Sequence, residues 1–223
     1  METTLMSIKE RLLALDTASV SDAMDSLDIP CGLHSIHARV SGKKIAGPAF
    51  TVKYESYQPE NEIFSNAGNY IDTVIEGSVI VIDSQGRSDC TNWGNILTTK
   101  AKLNNIEGTV LFGAARDINE IRKMEYPLFS SHIYMVSGKN RTRIAAIQNT
   151  IEIGSVIITP GDWIFGDDNG VLSIPQSKLL DVLERAENVE LTEQRILAAV
   201  LNGGNLSEAR KMLGYATPWE VQK

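Results

Sequence analysis

Two polar turns in this chain carry the residue types from which a small-anion site can be built. One is Gly94-Asn95-Ile96-Leu97, at the start of a helical pattern; the other is Arg116-Asp117, after the apolar run Thr109-Val110-Leu111-Phe112. A helix start offers backbone N–H groups without intrahelical partners and the positive end of its dipole. A guanidinium grips a carboxylate or enolate through its planar fork, and a carboxylate is the donor a hard divalent cation prefers. Together they would bind a small anion beside a metal. The second turn also has a purely structural reading. Asp117-Ile118-Asn119-Glu120 has the form of a capping box with Asp117 as N-cap, and an adjacent Arg–Asp pair is often a solvated ion pair of small energetic consequence.

The stretch from Trp93 to Pro127 must position these residues, and it reads as loop, helix, buried strand, loop, helix. Ile96, Leu97, Ala101 and Leu103 approximate a 3.6-residue period. Thr109–Phe112 suits a strand of a covered parallel sheet, broken by Gly113. Ser78-Val79-Ile80-Val81-Ile82-Asp83 is a second buried strand, with Ser84-Gln85-Gly86 as the turn beyond it. Ligands of open α/β sheets gather beyond the carboxyl ends of strands, so both turns are expected at one sheet edge. Asp83 either faces that edge or bonds loop amides.

The 223 residues suit one large domain or one domain with a helical appendage. A net charge of −7 and a pI near 5.1 argue against a broad nucleic-acid surface. They also require that an anionic substrate be drawn by a locally positive site. Cys31 and Cys90 lack CxxC spacing, which speaks against a zinc site or a disulfide framework. No apolar run is long enough to span a bilayer and no signal-peptide layout is seen, so a cytoplasmic protein is expected.

Ser7-Ile8-Lys9-Glu10 can cap a first helix, and Thr17–Asp22 supplies caps for a second that closes at Asp28-Ile29-Pro30. His34 and His37 lie in the following loop, without the company that metal ligation needs. Ile45–Tyr54 reads as a strand kinked at Gly47-Pro48, and Asn61–Ile75 as a helix or helix pair interrupted near Gly68. After Pro127 short β segments follow: Leu128-Phe129, Ile133–Val136, Ile151–Ile158, Asp162–Phe165 and Gly170–Ile174, punctuated by glycines. Asp162, Asp167 and Asp168 at their turns match no calcium loop and suit turn amides. Ser177–Leu201 is a long amphipathic helix ended by Gly203-Gly204, and Leu206–Leu213 is a last short helix before Pro218-Trp219. The chain thus divides into an α/β domain over residues 1–175 and a helical extension over 176–223 that packs on the core or on a neighbouring subunit.

An ordered set of segments resembles the regulator of RNase E activity A-like family, which includes the class II 4-hydroxy-4-methyl-2-oxoglutarate aldolases. The segments are Thr17–Ala23, Ala46–Val52, Val81-Ile82-Asp83, Trp93-Gly94, Gly113–Glu120, Pro160-Gly161-Asp162 and Gly166–Val171. The resemblance implies a swivelling β/β/α fold, a homotrimer or hexamer, and sites at subunit interfaces. In the aldolases of this family an acidic residue stands before the Arg, the Arg grips the substrate, and the next Asp binds Mg²⁺ or Mn²⁺. Arg116 and Asp117 match. The earlier position is Asn95, twenty residues separating it from Arg116, and Asn cannot take a proton. Phe112 is a second departure, since many relatives have Asp-Gly there. Glu193, or less aptly Glu190, matches the acidic residue that a neighbouring subunit's C-terminal helix contributes.

The implied activity is that of a divalent-metal-dependent lyase on pyruvate-containing α-keto acids. It would act by retro-aldol cleavage or oxaloacetate decarboxylation through a pyruvate enolate. Asp117 is the metal ligand, Arg116 stabilises the enolate oxygen, and backbone amides of Gly94, Asn95, Ile96 and Leu97 receive the substrate carboxylate. A water or hydroxide on the metal, held by Asn95 and Glu193, is the base. The alternatives are a protein-binding regulator without chemistry and a relative that binds a small carboxylate for another purpose. No nucleic acid or membrane partner is expected.

Overall fold

Val79-Ile80-Val81-Ile82 shows no polar side chain before Asp83, and a strand of that kind must be covered on both faces. The computed structural model, which describes residues 7–30, 32–58 and 68–220, covers it. The strands are β1 (His37–Ala38), β2 (Ile45–Ser56), β3 (Val79–Asp83), β4 (Thr91–Trp93), β5 (Gly108–Ala115) and β6 (Leu128–Ile133). They continue with β7 (Thr142–Ile147), β8 (Ile151–Ile153), β9 (Val156–Ile158), β10 (Trp163–Asp167) and β11 (Gly170–Ile174). The helices are α1 (Ile8–Ala14), α2 (Thr17–Asp25), α3 (Asn95–Leu103), α4 (Ile118–Lys123), α5 (Leu179–Leu201) and α6 (Leu206–Met212). The mixed α/β class and the C-terminal helix agree with the sequence reading.

The main sheet runs β1-β6-β5-β3-β2-β10-β11, with β4 added to β5 and β7 to β2. Its centre is parallel: β2 pairs β3, β3 pairs β5, and β5 pairs both β6 and β4. The two-residue period of β3 splits its side chains between two cores. Val79 and Val81 meet Val110, Phe129 and the isoleucines of the β8–β9 hairpin. Ile80 and Ile82 meet Phe50, Leu111 and Trp93, under Ala101 of α3 and Ile121 of α4. Each such side chain, fully buried, contributes about 1.5–3 kcal/mol. All these residues belong to one compact unit, Gly32–Gln176.

Gly113 does not break β5, which continues to Ala115. A Cβ at Gly113 would stand 2.8 Å from Ser84 Cβ, so the glycine permits close strand approach. The β segment expected over Ile133–Val136 ends at Ile133, and β4 and β7 were not anticipated. Residues 69–73 form a 3-10 helix, while the Asn61–Ala67 part of the expected helix lies outside the described residues. Asp83 takes the plainer role: its Oδ1 accepts the Gln85 N–H at 2.7 Å. Asp162 likewise accepts from the amides of Thr159 and Gln176, and Asp167 from that of Asn169.

The described parts of Met1–Cys31 and Ser177–Lys223 form the second compact unit. The two N-terminal helices therefore group with the C-terminal helices, whereas the sequence reading set 1–175 apart as one domain. Ser7 and Glu10 form the expected capping box on α1. Arg11 makes a fork with Glu187 at 2.7 and 2.9 Å, Ser19 bonds Glu190 at 3.0 Å, and Arg185 reaches Ser26. No helix among the described residues is long and apolar enough to cross a membrane.

Candidate functional site

β5 ends at Ala115, and the next backbone N–H, of Arg116, donates to the carbonyl of Trp93 at 3.0 Å. Asp117 then takes the left-handed conformation, φ 59° and ψ 30°. Asp and Asn visit this region more readily than bulkier residues, and such outliers cluster at functional sites. Its carbonyl starts α4 by accepting from Glu120 and Ile121. Its side chain, however, makes no capping bond to α4, so the expected capping box does not form. Instead Oδ2 accepts the backbone N–H of Asn95, the first residue of α3, at 3.0 Å. The carboxylate thus sits at the positive end of a different helix, 3.6 Å from Nε of Arg116.

Gly94 makes that approach possible. A Cβ there would stand 2.6 Å from Asp117 Oδ2 and 3.3 Å from Arg116 Cγ. The turn is anchored from below by Trp93, which is buried and stacked on Tyr126 at 6.2 Å between ring centroids. The Trp93 indole N–H donates to Thr98 Oγ1 at 2.9 Å, and that hydroxyl donates to the Gly94 carbonyl at 3.0 Å. A buried ring, a hydroxyl and a carbonyl therefore fix where α3 begins.

Gly94, Asn95, Ile96, Leu97, Arg116 and Asp117 all line one cavity of about 480 Å³. Further round its wall are Tyr54, a Lys100–Asp72 pair at 3.1 Å, and the turn Ser137-Gly138-Lys139. Burial pushes the Tyr54 hydroxyl well up, so it stays a neutral phenol and is no base at neutral pH. Arg116 and Asp117 are each partly exposed, at 39% and 32%. Glu193 lies on α5 in the helical unit, where it shares a hollow of about 290 Å³ with Asp22, Asp25, Tyr215 and Trp219. Burial, then Asp22, Asp16 and Glu190, raises its carboxyl above the usual range, with Arg210 opposing.

The donor chemistry at Asp117 suits a hard, water-rich cation. One carboxylate and the Asn95 amide match Mg²⁺ or Mn²⁺, which keep several waters or take substrate oxygens. Among the described residues no group of three or more His, Cys, Asp and Glu could hold a metal, which does not suit a closed zinc-type site. Sequence reasoning missed β4, the Trp93–Thr98–Gly94 chain and the Ser137–Lys139 turn; the Ser-Gly pair at 137–138 is a turn signal for the last.

Comparison with known proteins places this architecture. Residues 17–173 match the family described as "RraA-like: Aldolase/RraA", and the chain belongs to that family. It is 46% identical over 216 residues to Protein DlpA of Legionella pneumophila, covering 97% of this chain but spanning only 35% of that protein's length. A Halalkalibacterium halodurans protein named "Putative 4-hydroxy-4-methyl-2-oxoglutarate aldolase" is 32% identical, over 81% of this chain and 82% of its own. The crystal structure of an uncharacterized protein from Pseudomonas syringae superposes with a TM-score of 0.84 at 44% identity, over 91% of this chain and 96% of that one. Streptomyces coelicolor RraAS2, described as an unusual member of the RNase ES inhibitor RraA family, gives 0.75 at 22% identity, a likeness of fold alone.

Proposed function

We propose that the chain is a divalent-metal-dependent lyase that cleaves pyruvate-containing α-keto acids through a pyruvate enolate. The observation that carries this reading is the convergence of the Arg116 guanidinium, the Asp117 carboxylate and the α3 N-terminus on one cavity. Relatives named as 4-hydroxy-4-methyl-2-oxoglutarate aldolases support the same class.

The N–H groups of the first turn of α3 receive the substrate carboxylate, for which helix starts are preorganised. Arg116 points its charge at the keto oxygen, where negative charge grows as the C3–C4 bond breaks and its electrons pass to the carbonyl. Asp117 and Asn95 would hold Mg²⁺ or Mn²⁺, which when bound supplies Lewis-acid polarisation of that carbonyl. From oxaloacetate the broken bond releases CO₂ and leaves the enolate, which gains a proton at C3 to give pyruvate. From a 4-hydroxy-2-oxo acid the 4-hydroxyl must first lose its proton. Asn95 cannot accept it, so decarboxylation is the reaction this cavity carries with least help. Retro-aldol cleavage needs a base, for which we assign a water held by Asn95 and by Glu193 of a neighbouring copy. A homotrimer or hexamer in the cytoplasm belongs to this proposal. Exposed Leu180, Leu197 and Leu201 along α5 support a subunit contact.

Asn95 also favours a second reading, a small-carboxylate-binding or regulatory relative without turnover. The discriminating experiment is coupled detection of pyruvate from oxaloacetate with Mg²⁺ or Mn²⁺. The lyase reading expects turnover above the metal-only rate, abolished by EDTA. A rate equal to metal alone would favour the regulator.

A further inference from the structure

We infer that the hollow lined by α2, α5 and the tail after α6 binds the protonated head of a small primary amine, at a site separate from the Arg116 cavity. Every residue of it belongs to the helical unit. Val189, Thr192 and Glu193 share one face of α5, at the i, i+3 and i+4 spacing of helix neighbours. Asp22 and Asp25 stand three apart on α2, followed by Ser26. Tyr215, Pro218 and Trp219 close the third side of a space of about 290 Å³. The tail is held in shape, with the Tyr215 N–H donating to the Arg210 carbonyl and the Glu220 N–H to that of Thr217, each at 3.0 Å.

Thr192 points to a ligand that donates hydrogen bonds. It is 8% exposed and lines the hollow, yet its hydroxyl has no partner among the described residues. A helical threonine commonly turns its hydroxyl onto the carbonyl one turn back, as Thr98 and Thr99 do on α3. Thr192 does not. A buried polar group without a partner is rare in native structures, and this one is open to whatever enters the hollow.

The charge of the site asks for a cation. Among the described residues Asp22, Asp25 and Glu193 make no ion pair and no side-chain hydrogen bond. Burial, then Asp25 and Asp16, raises the Asp22 carboxyl above its ordinary value, as burial and its own acidic neighbours do for Glu193. The guanidiniums at hand are engaged elsewhere. Arg185 donates to the Ser26 carbonyl and hydroxyl at 3.2 and 2.9 Å and lies 5.7 Å from the Trp219 ring centroid. Arg210 lies 4.6 Å from the centroid of Tyr215 and only partly offsets the acids around Glu193.

The carboxylates border the space without converging, since among the described residues no three acidic, His or Cys groups could share a metal ion. An organic cation suits that layout. Its stem can lie on Val189, Pro218 and the Trp219 ring, and an aromatic face itself attracts positive charge. A quaternary ammonium, having no N–H, cannot serve Thr192.

Titration of the full chain with butylammonium, followed by NMR of the indole N–H signals, tests this; Trp219→Phe assigns the Trp219 signal. That signal is expected to shift and saturate while those of Trp93 and Trp163 hold still. Butanol lacks the charge and butyltrimethylammonium lacks the N–H groups, so each is expected to bind about tenfold more weakly or worse. Glu193 is common to this hollow and to the retro-aldol proposal, so the remaining variants leave it alone. Thr192→Val keeps the side-chain shape and should weaken butylammonium about tenfold, as should Asp22→Asn. Unmoved Trp93 and Trp163 signals will show that both variants are folded. A shift that never saturates, a quaternary ammonium bound as tightly, or full affinity in Thr192→Val would overturn the site and leave the lyase reading standing. Absence of oxaloacetate turnover, conversely, would leave the Trp219 response unchanged.

Discussion

Replacing Gly94 with alanine tests how the Arg116–Asp117 pair is held. The backbone there is extended, with φ −160° and ψ −167°, so alanine adopts it without strain. What changes is space. The new Cβ stands 2.6 Å from Asp117 Oδ2, and regaining ordinary contact at 3.4 Å moves the carboxylate by about 0.8 Å. That stretches its 3.0 Å bond from the Asn95 N–H beyond hydrogen-bonding range. A hydrogen bond to a charged group contributes about 1.5–3 kcal/mol. With the Asp117 side chain 32% exposed, screening brings the loss to about 1–2 kcal/mol. At roughly 2–4 °C per kcal/mol for a chain of this size, Tm falls by about 2–8 °C. A displacement near 1 Å among reacting groups costs on the order of 10²-fold in rate, so kcat/KM for oxaloacetate should fall far more than stability. Scanning fluorimetry and the pyruvate-release assay read the two effects. Gly32→Ala, where the added Cβ meets nothing within 4 Å, is the neutral control. Wild-type melting and turnover in Gly94→Ala would refute the claim that position 94 sets the geometry of the pair.

Thr98→Val leaves the buried Trp93 indole N–H without its acceptor, a loss of about 1–3 kcal/mol. Thr98→Ser should restore both melting temperature and kcat/KM, and failure of that rescue would argue that the methyl group, not the hydroxyl, matters. Asn95→Asp puts a proton acceptor back at the cavity, and general-base catalysis contributes about 10²–10⁴-fold. Retro-aldol cleavage should therefore rise relative to decarboxylation; an unchanged ratio of the two rates would contradict the reading of Asn95. Glu193 has a carboxyl raised by burial and by Asp22, Asp16 and Glu190. Its contribution to stability is full below the ordinary glutamate value of 4.5 and is lost as pH rises through its elevated folded value. Glu193→Gln should accordingly melt higher than the parent at pH 7 and at the same temperature as the parent at pH 4; a gain that persists at pH 4 would rule out ionisation as its cause.

The parts of the fold legible in the sequence are those whose physics is local. β3 and β5 announce themselves as apolar runs, and α5 by its 3.6-residue stripe and closing glycines. β4 has three residues and exists because β5 offers it a parallel edge. In β7, Thr142–Ile147, burial alternates along the strand, but Ile144-Ala145-Ala146-Ile147 places apolar residues at exposed positions as well as at inward ones, so period-2 reasoning from the sequence finds little to grip. The candidate site was legible in its members but not in its bonding. Capping logic looks three residues ahead, from Asp117 to Glu120, whereas the carboxylate bonds an amide twenty-two residues behind it. The left-handed backbone at Asp117 turns the side chain away from its own helix, and nothing in Asp-Ile-Asn-Glu signals that. Thr98 reads as an ordinary helical residue until Trp93 is seen to donate to it.

The central claim is that Asp117 carries the cation on which turnover depends, and Asp117→Asn tests it most directly. Asn tolerates the left-handed backbone and can still accept the Asn95 N–H through its amide oxygen, so the fold should persist. What is removed is the anionic donor that Mg²⁺ and Mn²⁺ require. Titration of the folded variant with Mn²⁺, followed by paramagnetic resonance alongside oxaloacetate turnover, should show near-wild-type melting, greatly weakened Mn²⁺ binding and no metal-dependent pyruvate release. Wild-type Mn²⁺ affinity and turnover in Asp117→Asn would contradict the account and leave the carboxylate a structural anchor for α3.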